Sequence, residues 1–298
     1  MSVTDAMTPA AATDEAPARR HWFVALMRDP AAALAIAVFL LIALAALLAP
    51  WLAPHDPTES TRNMMLPPAW AERGSAEFLL GTDGQGRDIL SRLLHGTRLT
   101  LLIGLVAVVL GGGIGSLLGL LAAFYGRLDP WIMRSVDVML SFPAILLGLA
   151  LVAVMGAGIM PVILALAVAT VPDSARIARS VAVGVMKQEF VEAGRAIGLP
   201  DRTLFTRYLL RNCISSIMIF MSLRFGQVIL LGSALSFLGL GARPPASELG
   251  MMASQGRDFM LFAPHIAIIP SVAIFVIVLT ANVAGDALRD VLDPRTRN

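Results

Sequence analysis

Lys187 is the only lysine in the chain, and it follows Met186 rather than a glycine. A phosphate-binding loop needs a lysine directly after its last glycine, so nucleotide is not bound and hydrolysed here by that device. His21, His55, His95 and His265, the four histidines, are scattered over tail, loops and a helix start. His95 has no second His, Cys or carboxylate beside it at metal spacing, which makes it an interfacial side chain rather than a ligand. Cys213 is the only cysteine, so no intrachain disulfide exists, and no base lies near it to activate a thiolate. What remains is charge inside apolar sequence. Arg224 stands near the middle of a run from Ile214 to about Leu238. An unpaired charge at that depth costs roughly 3 kcal/mol. Arg224 therefore faces a watery path or a partner, or else snorkels or binds a carbonyl in a helix interface. Gln227 lies one turn on, and Ser233 and Ser236 would continue a polar stripe. Ion coupling usually leaves carboxylates or histidines within spans, and at depth these runs carry none.

The elements that must position these groups are membrane helices. With 57% hydrophobic and only 15% charged residues, and a mean hydropathy of +0.75, the composition is that of an all-α polytopic membrane protein. The net charge of +2 comes from dispersed arginines and describes no nucleic-acid surface. Residues 1–30 read as a polar tail, disordered over 1–18, ending in Arg19, Arg20 and Arg28. The first span, 31–52, is too long for a signal-peptide core, so the arginine pair is not read as a secretion signal. Residues 53–98 form a polar external interval, and its end, with Ile89, Leu90, Leu93 and Leu94 on one face, predicts a short amphipathic helix on the membrane surface. A domain of further spans, 99–286, begins with Leu99 to Tyr125. Gly111, Gly115 and Gly119 recur there every fourth residue, which predicts a close helix–helix seam. A third span is expected over Val138 to Val154 and a fourth from Ile159 to about Ile177, polar from Pro172, Asp173 and Arg176 onward. Such a lower end must emerge into water or lean on other protein. The fifth run is followed by a sixth, from about Ile266 to Ala284, and a polar tail, 287–298.

About six spans place both termini on one side. Arg127, Arg134, Arg176, Arg179, Lys187, Arg195, Arg202, Arg207, Arg211 and Arg289 share that side, which the positive-inside rule assigns to the cytoplasm. The polar loop 179–213 falls there too. Its centre, QEFVEAGRAIGLPDRTLFTRYLLRN from Gln188 to Asn212, is a charged helix-forming island in a lipid-like chain. It is the best place for a soluble partner to push.

VEAGRAIG, Val191 to Gly198, resembles the EAA loop of permease subunits of ATP-binding-cassette importers. Glu192 and Ala193 match that pattern, Gly194 stands for its second Ala, and Gly198 matches its Gly. LGTDGQGRDILSRLLHGTR, RSVDVMLSFPAILLGLALV, LSFLGLGARPP and GDALRDVLDPR are similar to the second permease of dipeptide, oligopeptide and nickel importers, a likeness from about Leu79 to Arg295. The resemblance implies a type I importer permease fold in a bacterial cytoplasmic (inner) membrane. It implies a homologous permease as partner, two cytoplasmic ATPase subunits and a periplasmic or lipoprotein substrate-binding protein, with lipid around the whole. ATP and Mg would belong to the ATPase, and no cofactor or metal to this chain. Glu189, Glu192, Ala193, Gly194, Ala196 and Gly198 would form the docking helix, with small residues allowing close approach. Three departures stand out. Gly194 costs up to ~1 kcal/mol of helix propensity relative to Ala. Arg211, in Leu210-Arg211-Asn212, replaces a proline and removes a helix stop, so the segment and the fifth span would join differently. Gly232 stands where relatives often carry Glu, which with Arg224 shifts the path towards anions. An ion-coupled secondary transporter or channel, and a structural scaffold, are the rival readings.

Overall fold

The computed structural model describes residues 29–292. The terminal tails, with Arg19, Arg20, Arg28, Arg295 and Arg297, lie outside the described residues. The elements are α1 (Pro30–Leu47), α2 (Ala49–Leu52), α3 (Ile89–Phe124), α4 (Asp129–Leu140), α5 (Ala144–Met155), α6 (Ile159–Met186) and α7 (Glu189–Ala196). A continuous rod α8 (Asp201–Phe237) follows, then α9 (Leu249–Arg257) and α10 (His265–Leu292). Five of these helices are long and apolar enough to cross a membrane, and the bent pair α4–α5 makes a sixth candidate. The start of α1, the end of α10 and helix α7 lie on one face of the bundle, the terminal face; the loop before α3 and helix α9 cover the distal face.

α3, α6 and α8 form the centre. Ile103, Ala107 and Val108 of α3 meet Val162, Ala165 and Leu166 of α6 and Val228 and Leu235 of α8 in one buried cluster. α3 and α6 make the most extensive helix pair. Their closeness rests on the absent side chains of Gly111, Gly115 and Gly119, which lie against the backbone of Ala167, Val171 and Ala175 in turn. A methyl at any of the three would overlap a carbonyl oxygen. Lipid supplies no hydrophobic drive between helices, so dispersion at such short range has to hold the pair. α1 and α10 pack on the flank of this centre.

Two expectations change, and a third resolves to one of its two alternatives. The amphipathic helix expected on the membrane surface does not exist as a separate element, because Ile89 begins α3 and the helix runs unbroken for 36 residues. Nothing between His95 and Leu99 stops it, and Asp88 caps it by accepting from Ser91 N at 2.8 Å. Ser91, Arg92 and Thr97 turn into protein instead of water and are buried, while Arg98 stays exposed.

The third span is not a straight helix. α4 and α5 meet at 88°, since Pro143 lacks an N–H and pushes Phe142 out of helical conformation. The polar end of the fourth span also continues as helix to Met186 and leans on α3 and α4. Pro172 leaves α6 unbroken there, and Arg176 and Arg179 reach Asp137 at 2.6 Å and Asp129 at 2.5 Å on α4.

Candidate functional site

Helix α7 is short, and its sequence explains its length. Glu189 and Glu192 occupy the first turn, where carboxylates favour the positive end of the helix dipole, and Arg195 occupies the last. Gly198 ends it. Its φ of +76° lies in the left-handed region. The N–H of Leu199 donates to Gly194 O at 3.1 Å and that of Gly198 to Arg195 O at 3.0 Å. This is the Schellman pattern, in which glycine carries the reversal without a Cβ penalty. The space beside Gly198 is open, with nothing within 4 Å of where a Cβ would stand. The backbone, not crowding within the chain, is what requires glycine there.

The two faces of α7 differ sharply. Val191 and Gly194 are buried, Val191 in a cluster with Leu120, Ala182, Leu209 and Cys213. Gly194 lies under Leu204, Leu199 and Tyr208, and Phe190 stacks on Tyr208 with ring centroids 6.0 Å apart. The i, i+3, i+4, i+7 set of Glu189, Glu192, Ala193 and Ala196 is exposed. One acidic, small-residue stripe thus faces outward on a helix whose other side is welded to α3, α6 and α8. Gly194 belongs to the weld and not to the stripe. Beyond Pro200, α8 passes through a π-helical stretch, Leu204–Leu210, straight into Arg211 and the span, with Asn212 Nδ2 donating to Tyr208 O at 2.5 Å. Arg211 therefore lets the post-helix segment and the span form one lever.

Arg224 is not alone. It pairs with Asp173 of α6, donates to Gln227 Oε1 at 2.6 Å, and lies 5.3 Å from the Phe220 ring centroid. The expectation of no carboxylate at depth is thereby corrected. Asp173 was placed beyond the apolar end of its span, but α6 continues as helix past Pro172 and keeps Asp173 level with Arg224. Ser233 and Ser236 do not extend this polar patch. They are buried and stand on the side of α8 turned towards α9, where Ser236 and the Ser233 backbone back onto Gly250. Near them Glu248 accepts from Thr100 Oγ1 at 3.1 Å and from the amides of Gly250 and Met251.

Sequence reasoning also passed over a buried network at the distal face. Asp83 receives Arg87 Nε at 2.8 Å and also Arg92, while Gln255 Oε1 receives Arg92 at 3.3 Å and Arg87 at 3.5 Å. The signal was the Asp-x3-Arg-x4-Arg spacing in GTDGQGRDILSR, legible only if the surrounding loop is folded onto a helix. His95 bonds Ser91 O at 3.1 Å through Nδ1. Among the described residues, no group of three or more His, Cys, Asp or Glu side chains could hold a metal.

Comparison with known proteins gives this geometry a family. Residues 115–298 match the model for the binding-protein-dependent transport system inner membrane component, and residues 17–68 that for the N-terminal transmembrane domain of oligopeptide transport permease C. The di/tripeptide transport system permease protein DppC of Pseudomonas aeruginosa is 44% identical over 261 residues, covering 87% of this chain and 86% of that one. The glutathione transport system permease protein GsiD of Pectobacterium atrosepticum is 42% identical, over 95% of this chain and 92% of its own. The dipeptide transport system permease protein DppC of Haemophilus influenzae is 37% identical over 97% of this chain and 99% of its own. In fold, a chain of the inward-facing MetNI methionine ABC transporter superposes with a TM-score of 0.56 at 20% identity, covering 67% of this chain and 96% of that one. The chain belongs to the family of binding-protein-dependent transport system inner membrane components, as the multi-pass permease of a bacterial ATP-binding-cassette importer in which a partner subunit hydrolyses the ATP.

Proposed function

We propose that this permease carries small peptides or glutathione-like solutes across the cytoplasmic membrane, and that the outward stripe of α7 receives the stroke of the ATPase. The substrate class follows its relatives, permeases named for dipeptides, tripeptides and glutathione. The full assembly adds a homologous permease, two ATPase subunits and an external substrate-binding protein, periplasmic or lipid-anchored. The arginine asymmetry supports a cytoplasmic position for both termini and α7.

One observation carries the coupling role. Glu189, Glu192, Ala193 and Ala196 are exposed on a helix whose opposite side shares a buried cluster with α3, α6 and α8. A push on the stripe is therefore delivered to three spans as one body, a lever of the rigid-body kind. Arg224 and Gln227 lie along the solute path in this reading, while Ser233 and Ser236 serve the interior of the bundle.

Purification of the intact complex tests the reading. An ATPase co-isolates with the chain, and uptake of peptide into vesicles stops with vanadate. Glu192→Arg inserts normally in the membrane but abolishes uptake and releases the ATPase, a loss of at least about 2 kcal/mol of docking or roughly thirtyfold in affinity. Uptake at the wild-type rate by Glu192→Arg sinks the coupling role, and vanadate-insensitive uptake revives ion coupling.

A further inference from the structure

Charge on α6 is matched, residue by residue, from neighbouring helices. Asp173, Arg176 and Arg179 follow one another at every third position. Each has a partner of opposite sign on another element: Arg224 of α8, Asp137 of α4 and Asp129 of α4. None of these pairs is sealed from the surface. The Asp173 and Arg224 side chains keep 36% and 26% of their exposure, and Gln227, bonded to Arg224, is exposed. Asp173 and Arg224 stand deepest of the three pairs, facing each other across the two spans that flank α7. Bare lipid is a poor surrounding for so polar a patch, since each ionised group there is costly and normally faces a cavity or protein.

We propose that Asp173 is a specificity-determining residue of the solute path: paired with Arg224, it keeps the path electrically balanced, so that zwitterionic and uncharged solutes pass and those with net charge are held back. The proposal rests on the reading that Arg224 lines the path. A lone guanidinium there would attract anions and repel cations over a long range, because few water dipoles screen it. A guanidinium and a carboxylate in contact form a dipole, whose field falls off faster with distance. At short range the pair still offers both signs: the carboxylate to an ammonium, the guanidinium to a carboxylate, and the Gln227 amide to a peptide bond. A peptide with free termini carries both charges and no net charge. The same rule extends down α6, where Arg176 and Arg179 are neutralised in turn. The anion preference that Arg224 and Gly232 suggest in the sequence is cancelled by Asp173.

The test reads the local potential without needing the solute. Gln227→Cys is introduced into the assembled importer in proteoliposomes. The native Cys213 is fully buried and serves as a silent background. Modification rates are measured with a negatively and a positively charged methanethiosulfonate of similar size, in nucleotide-free and vanadate-trapped states. Both reagents react in at least one state. Asp173→Asn raises the anion-to-cation rate ratio roughly tenfold, as expected for an uncompensated charge a few ångströms away. Arg224→Gln lowers it by a similar factor, and the exchange Asp173→Arg with Arg224→Asp returns it to near the starting value. Reactivity with a ratio unmoved by Asp173→Asn overturns the charge balance and leaves the path reading standing. No reaction with either reagent in any state overturns both. The same variants, fed the tripeptides Ala-Ala-Ala, Ala-Glu-Ala and Ala-Lys-Ala, shift uptake towards the anionic peptide for Asp173→Asn and the cationic one for Arg224→Gln. An equal loss for all three peptides marks the pair as merely structural.

Discussion

At the distal face, Asp83, Arg87 and Arg92 keep 6%, 4% and 2% of their side-chain exposure and satisfy one another where the loop before α3 folds onto that helix. At the terminal face, Glu189 and Glu192 stand exposed on a helix only eight residues long. Both regions are polar, and both flank the same spans. The first has turned its charges inward and covered them with α9 and α10; the second has turned its apolar side inward and left its charges out. Burial of charge is tolerable only where every partner is already present in the chain. Charges left outside on a rigid mount are available to another molecule. The contrast separates polar groups that hold this permease together from those that, under the proposed function, would meet a partner.

Removing Asp83 strains that contrast hardest. Asp83→Ala strands two buried guanidiniums, for which breaking a buried pair costs about 3–5 kcal/mol. The variant is expected to be lost from the membrane or to unfold in detergent far below the wild-type midpoint, whereas Glu192→Gln shifts that midpoint by no more than about 0.5 kcal/mol. If both variants melt alike, the division between holding and meeting charges is wrong.

The α3–α6 seam gives the next largest effect. At Gly115 a new side chain meets Val171 O, the Ser174 side chain and the backbone of Ala175. Backbone cannot step aside, so Gly115→Val costs about 1–3 kcal/mol by overpacking. Gly113, two residues earlier on the same helix, has nothing within 4 Å. Gly113→Val is expected to be neutral in the same thermal assay. An equal loss at both positions would show that helix propensity, not the seam, governs α3.

Apolar length was enough to find the candidate spans, since it is a one-dimensional property of the chain. The glycine register of α3 was legible for the same reason: its period marks one face of a helix. What could not be read was where helices continue through polar sequence. Ile89 to Arg98 reads as an independent surface helix because Arg92 looks solvated until Asp83 and Gln255 are folded against it. Pro172, Asp173 and Arg176 read as the polar end of a span, yet the helix runs on through them, since a proline within a helix removes only one bond when neighbours support the rest. The Arg224–Asp173 pair joins residues far apart in sequence, and no local pattern announces it. Ser233 and Ser236 were joined to Arg224 by spacing along the chain, but their rotation about the helix sends them to the other side. In α7 the sequence marked six positions as one set, and their division into outward stripe, inner weld and terminal turn needed the neighbouring helix.

That division predicts the two smallest effects. Gly198→Ala keeps the open space but must adopt the left-handed backbone, at roughly 1–2 kcal/mol. The penalty falls on the last turn of α7, so amide exchange at Ala196 and Ile197 is expected to quicken roughly tenfold or more, with global melting barely moved. Gly194→Ala should do almost nothing, although it changes a motif position. Alanine gains up to about 1 kcal/mol in a helix interior relative to glycine. Against that gain, a Cβ at Gly194 would stand 3.0 Å from Leu204 Cδ2 and 3.3 Å from Leu199 Cδ1. Both are ends of flexible side chains, and each has to give by only a few tenths of an ångström. The two terms offset to within about 0.5 kcal/mol, and uptake should remain within twofold of wild type, because Gly194 faces its own bundle. A Gly194→Ala variant that folds normally but loses uptake would move Gly194 from the weld to the stripe, and the outward face of α7 would then have to be redrawn around it.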